Sequence, residues 1–248
     1  MVDTRQIAAE VGGGGAVGGL YYAEQARQAV TDQTRAAARA LVRAFHAVVE
    51  AEHLRHGEAV EDGVPYRRII EQMRYHDLLV IGRVPHFYYR RPTQRTNTLA
   101  EVVKRGTAPA LVVGDVLGDV QRVLVAFDGS DAAARTLQRF AQFRLFGTDL
   151  AVEVVYVRSG GARRERDVGE VLLRRAAAFL TAHGYDHLAT TSLDGGTPGE
   201  RLPAYACQTG AGLIVAGAHS VNAMRRLAFG STTHALLEGC NVPLFLHH

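Results

Sequence analysis

The chain has 248 residues, of which 47% are hydrophobic, and it carries a net charge of +3. This length suits two domains of ordinary size, and the hydrophobic fraction excludes an intrinsically disordered protein. The charge is mild and dispersed, which disfavours nucleic acid or an anionic membrane surface as a partner. Two cysteines without metal-ligand spacing, no signal-like start and no membrane-length apolar run predict a cytoplasmic protein.

In chain order, the sequence of the first half predicts two helices, at about 23–50 and 66–74, and the segment 53–59 lies between them. The apolar run 77–82 follows, and a second one, 109–113, comes after a further helical stretch. Both runs are apolar throughout rather than alternating, which is typical of strands that are buried on both faces.

The second half predicts five strands that alternate with four helices. The strands are 122–127, 151–157, 187–193, 213–216 and 243–246, and the helices are roughly 132–146, 165–183, 199–209 and 232–238. Ser130 is a suitable N-cap for the first of these helices, and Gly184 is placed to end the second. Buried strands separated by helices predict an α/β fold with parallel sheets that carry helices on both faces.

The two halves repeat each other. The strand runs that end at Gly82 and Gly217 are 135 residues apart, and Pro109 and Pro243, which precede the last strands, are 134 apart. The same order and spacing indicate an internal duplication, with domains at 1–117 and 122–248.

The first half has no counterpart of the opening strand, 123–127, of the second half. This counterpart would lie before Met1, so we expect the natural chain to start upstream. The opening strand lies in the middle of a doubly wound sheet, and its absence therefore predicts either an apolar gap in the first half or a truncated, less stable first half.

One stretch of the second half has the composition of a phosphate site. A buried strand ends at Gly217, a loop of about a dozen residues follows, and Gly230-Ser231-Thr232 opens the next helix. Small residues let backbone amides approach an anion, and the helix N-terminus offers unpaired N–H groups. A plain connection from strand to helix is the alternative interpretation.

This stretch resembles the motif G-x2-G-x9-G-[S/T] of nucleotide-binding members of the universal stress protein family. Gly217, Gly230 and Ser231 match the motif, whereas Ser220 stands where the second glycine is expected. The resemblance extends to the opening strand with its terminal acid, Asp128, and covers nearly all of 122–248 and, more weakly, 53–113. It implies two tandem, open, Rossmann-like parallel-sheet domains.

The resemblance also implies a ligand, ATP or another adenine nucleotide with Mg or Mn, over the carboxyl ends of the strands. Asp128 would then lie near the nucleoside, with Ala126 and Val157 beside the base. Phosphate contacts are implied for Ser220 and for the backbone at both ends of the loop: Gly217, Gly230, Ser231 and Thr232.

Two of these residues leave alternatives open. If position 220 requires a positive φ, Ser220 strains the turn and its Cβ crowds the phosphates, whereas with a negative φ its hydroxyl can donate to a phosphate. Asp128 can instead cap the turn before Gly129-Ser130, as an acid at a strand end commonly does. In the first half, Thr96-Asn97 replaces Gly-Ser, and we expect no nucleotide there.

We therefore expect a stress-response regulatory protein that binds an adenine nucleotide in its second half. The alternative is an interaction module of the same fold in which the loop between Gly217 and Gly230 no longer binds phosphate. The closing strands 109–113 and 243–246 would then be edges open to other strands. Since the family uses this strand for dimer contact, we expect the halves to form a pseudo-dimer, with other faces left for a homo-oligomer. No catalytic motif or metal-ligand set is present, and we expect no enzyme.

Overall fold

The computed structural model describes residues 16–59, 61, 63–84, 97–115, 117–158, 163–218, 231–239 and 241–248. These residues form two compact units, one from the residues up to Arg68 and one from Ile69 onward. The first unit contains helix α1 (Ala16–Ala51), and α2 (Pro65–Met73) begins in the first unit and continues into the second. Within the described ranges, no helix combines the length and the hydropathy that a membrane span requires.

The second unit is built on one sheet of seven strands. In chain order the strands are β1 (Leu79–Gly82), β2 (Ala110–Val113), β3 (Arg122–Ala126), β4 (Ala151–Arg158), β5 (Leu188–Asp194), β6 (Leu213–Gly217) and β7 (Leu244–His247). The remaining helices are α3 (Asn97–Arg105), α4 (Asp131–Phe143), α5 (Arg163–Ala182), α6 (Pro198–Thr209) and α7 (Ser231–Gly239).

The sheet has the order β1-β2-β7-β6-β3-β4-β5, and all neighbours are parallel except β2 and β7. The α/β class and the parallel strand order within the second half are confirmed. The two halves share one sheet, however, because β2 pairs antiparallel with β7, with Leu111 opposite Phe245. This pairing joins the strands of the two halves, and the pseudo-dimer stays a prediction.

The closing strands 109–113 and 243–246 were predicted to be edges of their halves that pair with other strands, and in the structure they pair with each other. Each is the last strand of its own half, and the two pair with each other, so that both lie inside the joined sheet. The edges among the described strands are β1 and β5. The sheet runs through both halves, so the domain boundary at 118–121 stays a prediction that rests on the sequence repeat. The two compact units of the structure divide at a different place, after Arg68.

One face of the sheet packs against α4 and α5. The buried side chains that meet there include Val123, Val125, Val154, Val215 and Phe245 from the strands and Leu137, Phe140, Leu173 and Leu180 from the helices. Alternate residues of a strand point to opposite faces, and Leu124, Ile214 and Leu244 are buried as well. Strands β3, β6 and β7 are therefore covered on both faces, as their uninterrupted apolar sequence predicts. For the run 77–82 the same prediction is wrong, because Val80 in β1 is 59% exposed.

Single residues determine where α4 begins and where α5 ends. Ser130 Oγ accepts a hydrogen bond from the Ala133 N–H at 3.2 Å, which confirms the predicted N-cap of α4. After α5, Gly184 has a φ of +86°, which suits glycine at a helix C-terminus, and its N–H donates to the Thr181 carbonyl oxygen at 2.9 Å.

The described residues of the first half contribute two strands to the sheet. The segment 53–59 forms no strand, and β1 has β2 as its neighbour on one side and no described strand on the other. The side chain of Arg83, directly after β1, donates to the carbonyl oxygens of Leu236, Leu237 and Val242 at 2.7–3.1 Å. Arg83 thus holds the end of β1 against the C-terminal end of α7.

Candidate functional site

The carboxyl ends of five strands, β3 to β7, lie at one edge of the sheet because these strands are parallel. At this edge β3 and β6 are neighbours, with Ala126 opposite Ala216. The chain leaves β3 towards β4 and leaves β6 in the opposite direction, towards β7. Right-handed crossovers place the two following helices, α4 and α7, on opposite faces. Their loops diverge and leave a crevice, which is the general ligand position in doubly wound folds.

The turn from β3 to α4 forms one wall of this crevice. Asp128 Oδ1 accepts a hydrogen bond from the Ser130 N–H at 2.9 Å, so Asp128 caps the turn, as the alternative interpretation holds. Gly129 has a φ of +79°, and a Cβ there would lie 2.8 Å from Leu172 Cδ2. The Asp128 carboxylate is exposed to solvent while it caps the turn, and it therefore stays accessible to a hydrogen-bond donor.

The end of β6 forms the opposite wall, in close contact with α4. A Cβ on Gly217 would lie 2.7 Å from Ala133 N and 2.9 Å from Ala132 C, both in the first turn of α4. This contact alone requires glycine at position 217, whether or not an anion binds nearby.

The first turn of α7 is tied to the end of β6. Thr233 Oγ1, which is buried, donates to the Ala218 carbonyl oxygen at 2.9 Å. The Ala218 N–H in turn donates to the His247 carbonyl oxygen at 2.7 Å. These bonds fix the start of α7, with Ser231 and Thr232, at the carboxyl edge of the sheet.

The described residues fit the nucleoside part of a nucleotide. Ala126 and Val157 are partly exposed at the carboxyl edge, although Val125 and Val155 before them are fully buried. They offer an apolar surface to a flat base, and the accessible carboxylate of Asp128 can accept hydrogen bonds from ribose hydroxyl groups. The remaining predicted phosphate contacts, Ser220 and Gly230, lie outside the described residues.

An ion pair between Arg158 and Asp194 was not predicted from the sequence. These are the last residues of β4 and β5 and lie opposite each other in register. The Arg158 side chain is 14% exposed, so the pair reinforces the carboxyl edge beside Val157. The available signal was two residues of opposite charge directly after two strands predicted to end at 157 and 193.

A second polar cluster lies within the sheet rather than at its edge. Thr191 Oγ1 and the Tyr205 hydroxyl both donate to Glu153 Oε1, at 2.5 and 2.7 Å. The hydrogen bond to Glu153 raises the pKa of Tyr205, with a smaller contribution from burial. This cluster attaches α6 to β4 and β5. Among the described residues, no group of three or more His, Cys, Asp or Glu side chains is placed to hold a metal ion.

Comparison with known proteins agrees with this geometry. The model of the Universal stress protein family matches residues 119–248, just over half of the chain. No curated protein matches the sequence.

Two solved structures with TM-scores above 0.5 share the fold. A universal stress protein from Archaeoglobus fulgidus DSM 4304 is 21% identical, with a TM-score of 0.63, and the match covers 88% of this chain and 78% of that one. A putative universal stress protein from Pseudomonas aeruginosa UCBPP-PA14 is 14% identical, with a TM-score of 0.57 and coverage of 84% and 77%. A universal stress protein in complex with cAMP is 21% identical over 53% of this chain and 99% of that one, with a TM-score of 0.43.

Proposed function

The chain belongs to the universal stress protein family, and from this premise we propose that it is a stress-response regulatory protein that binds an adenine nucleotide in its second half. The ligand is ATP with Mg or Mn. We propose binding without catalysis, in the cytoplasm.

One observation supports this site more than any other. At the point where the connections of β3 and β6 diverge, a partly exposed apolar surface from Ala126 and Val157 lies on the same sheet edge as the accessible carboxylate of Asp128. A base and a ribose need these two surfaces side by side, since the base is flat and apolar and the ribose carries hydroxyl donors.

In this binding mode the phosphates extend towards the start of α7. Backbone N–H groups at a helix N-terminus, where Ser231 and Thr232 lie, together with the helix dipole, favour negative charge there. Asp128 has two roles, since one carboxylate oxygen holds the Ser130 N–H and the group also accepts from the ribose. No residue of the first half contributes.

The first experiment is mass spectrometry of small molecules released from protein purified without added nucleotide. Calorimetric titration with ATP and magnesium, and with cAMP as a comparison ligand, then measures affinity. We expect adenine nucleotide at near-stoichiometric amounts. Gly230→Val should abolish binding, because its side chain fills the backbone approach to phosphate. The matched control is Thr96→Val, which changes the equivalent place in the first half and should leave affinity unchanged.

Two substitutions separate the roles of Asp128. Asp128→Asn keeps an oxygen for the Ser130 N–H and should leave the turn intact, while it weakens nucleotide binding by about 10-fold through the lost charge. Asp128→Ala should remove both the cap and detectable binding. Binding that survives both Asp128→Ala and Gly230→Val would show that the site is wrong. Empty protein that ignores ATP and magnesium would favour an interaction module of the same fold.

A further inference from the structure

The end of β4 extends beyond β3 at the carboxyl edge of the sheet. The last register pair of β3 with β4 joins Ala126 and Val155, and the Phe127 N–H donates to the Val155 carbonyl oxygen at 2.9 Å. On its other side, β4 stays paired with β5 as far as Arg158, which lies opposite Asp194. The last residues of β4 therefore have a strand neighbour on one side only.

The backbone groups of Val157 point to the side where β3 has ended. Alternate residues of a strand direct their backbone groups to opposite neighbours. Val155 bonds on the β3 side, whereas the Arg158 carbonyl oxygen accepts from the Gly195 N–H on the β5 side, at 3.2 Å. The N–H and the carbonyl oxygen of Val157 thus point into the space beyond the end of β3. Among the described residues, neither group has a hydrogen-bond partner.

These two backbone groups suit the base of the proposed ligand. Adenine offers its N1 as an acceptor and its N6 amino group as a donor, which match an N–H donor and a carbonyl acceptor on one residue. Hypoxanthine, the base of inosine, presents the reverse arrangement, with a donor at N1 and an acceptor at O6. A base beside the Val157 side chain can therefore be recognised by the Val157 backbone, provided that the end of β4 keeps its position.

Arg158 and Asp194 hold the end of β4 in that position. Their side chains form an ion pair across the last register position of β4 and β5. The Arg158 side chain is 14% exposed and that of Asp194 70%, so solvent screens this pair less than a fully exposed one. Because side chains alternate between the two faces of a strand, Arg158 points away from the face of Val157. The pair does not meet the base and acts through the backbone.

We propose that Arg158 and Asp194 are a positioning pair that makes the second-half site selective for adenine, because the pair keeps the Val157 backbone aligned with the base. At this point β5 is the one strand neighbour that β4 retains, and the ion pair ties the two strands together. Without the pair, the end of β4 separates from β5 more often and the hydrogen bonds to the base weaken. This inference rests on the proposed function, because it concerns the same site.

The experiment compares ATP with inosine triphosphate, each with magnesium, in calorimetric titrations of the full chain. The parent should bind ATP at least about 10-fold more tightly, because inosine leaves the Val157 donor and acceptor unmatched. Asp194→Asn removes one charge of the pair at a mostly exposed position, and it should reduce this preference to less than about 3-fold. Arg158→Met, which keeps the apolar stem, should act alike, and Arg158→Lys should restore part of the preference.

The matched control is Thr191→Val. Thr191 Oγ1 also joins β5 to β4, through its hydrogen bond to Glu153 Oε1, but it lies within the strands rather than at their carboxyl ends. This variant removes a contact between the same two strands. It should lower the free energy of unfolding and leave the preference for ATP unchanged.

Three results would overturn this inference alone. A preference for ATP that persists in Asp194→Asn and Arg158→Met would show that the pair does not position the base contact. Equal losses of affinity for both nucleotides would assign the pair a purely structural role. A parent protein that binds both nucleotides equally would show that the Val157 backbone does not recognise the base. A parent protein that binds neither nucleotide would contradict the proposed function, and this inference with it.

Discussion

Strands β1 and β6 are two copies of one sequence pattern in two different environments. Both are short apolar runs that end on glycine, and both pair on one side with the last strand of their half. Val215 in β6 is fully buried between β3 and β7, whereas its counterpart Val80 in β1 is mostly exposed. The pattern of apolar residues therefore specifies a strand, but the neighbouring elements decide whether that strand is buried.

The largest difference between the copies is expected at their terminal glycines. Gly217→Ala should lower the free energy of unfolding by about 3 kcal/mol, because the new Cβ meets the backbone of α4 at 2.7 Å. In Gly82→Ala the nearest atom to the new Cβ is Val84 O at 4.0 Å, so the change should stay within about 0.5 kcal/mol. Urea denaturation of both variants measures this, and equal effects would contradict the comparison.

A smaller difference is expected at the next position, where Arg83 in the first half corresponds to Ala218 in the second. Arg83→Met removes a charged donor from three carbonyl oxygens and should cost about 2 kcal/mol. Hydrogen exchange should quicken in β1 and β2 and stay unchanged in β3. Arg135→Met, which removes an exposed bond to the His248 carbonyl oxygen, is the control and should have little effect. Uniformly faster exchange would contradict a local role at the contact between β1 and the end of α7.

The smallest expected effect is the dependence of the free energy of unfolding on pH. It arises in the second half alone, because β7 ends in His247, whereas its counterpart β2 ends in Val113. Burial lowers the pKa of His247 to about 4, and repulsion from His248, Arg139 and Arg135 adds to this. Between pH 6.5 and 4 the unfolded chain binds the additional proton, so the free energy of unfolding falls as the pH falls through this window.

We expect His247 to account for a loss of about 1 kcal/mol by pH 4, because the ring keeps part of its solvation. His247→Phe should remove this part of the slope in urea denaturation at several pH values. His187→Gln, at an exposed histidine, is the control for the general effect of losing an imidazole. An unchanged slope in His247→Phe would show that the folded protein protonates this ring normally.

The sequence alone was sufficient to predict the strands and helices of the second half. Each predicted strand and helix there is present, with ends within three residues, because buried runs and helix caps are local signals such as Ser130 before α4. It was less informative in the first half, where α1 begins at Ala16 rather than 23, and where 53–59, which lies 134 residues before the second-half strand predicted at 187–193, forms no strand. A segment without a sheet partner has no tertiary contact to turn its strand propensity into a strand.

Contacts between distant positions could not be found from one sequence. Arg83 meets carbonyl groups more than 150 residues away, and Arg158 meets Asp194 only because β4 and β5 pair in that register. At the candidate site, the sequence singled out Asp128 and Gly217, but only the structure shows that the first caps a turn and the second contacts α4. The contacts expected of Ser220 and Gly230 remain predictions.

The pairing of β2 with β7 also determines how late in translation the sheet can be completed. Translation completes the opening pair, β1 and β2, at Val113, yet the strand that attaches them to the rest of the sheet begins only at Leu244. At the usual rate of ribosomal elongation, these 131 residues take roughly 7 to 26 s. During that interval two apolar strands leave the ribosome without their eventual neighbour. A nascent chain of this design therefore keeps apolar strand surface uncovered until translation reaches β7.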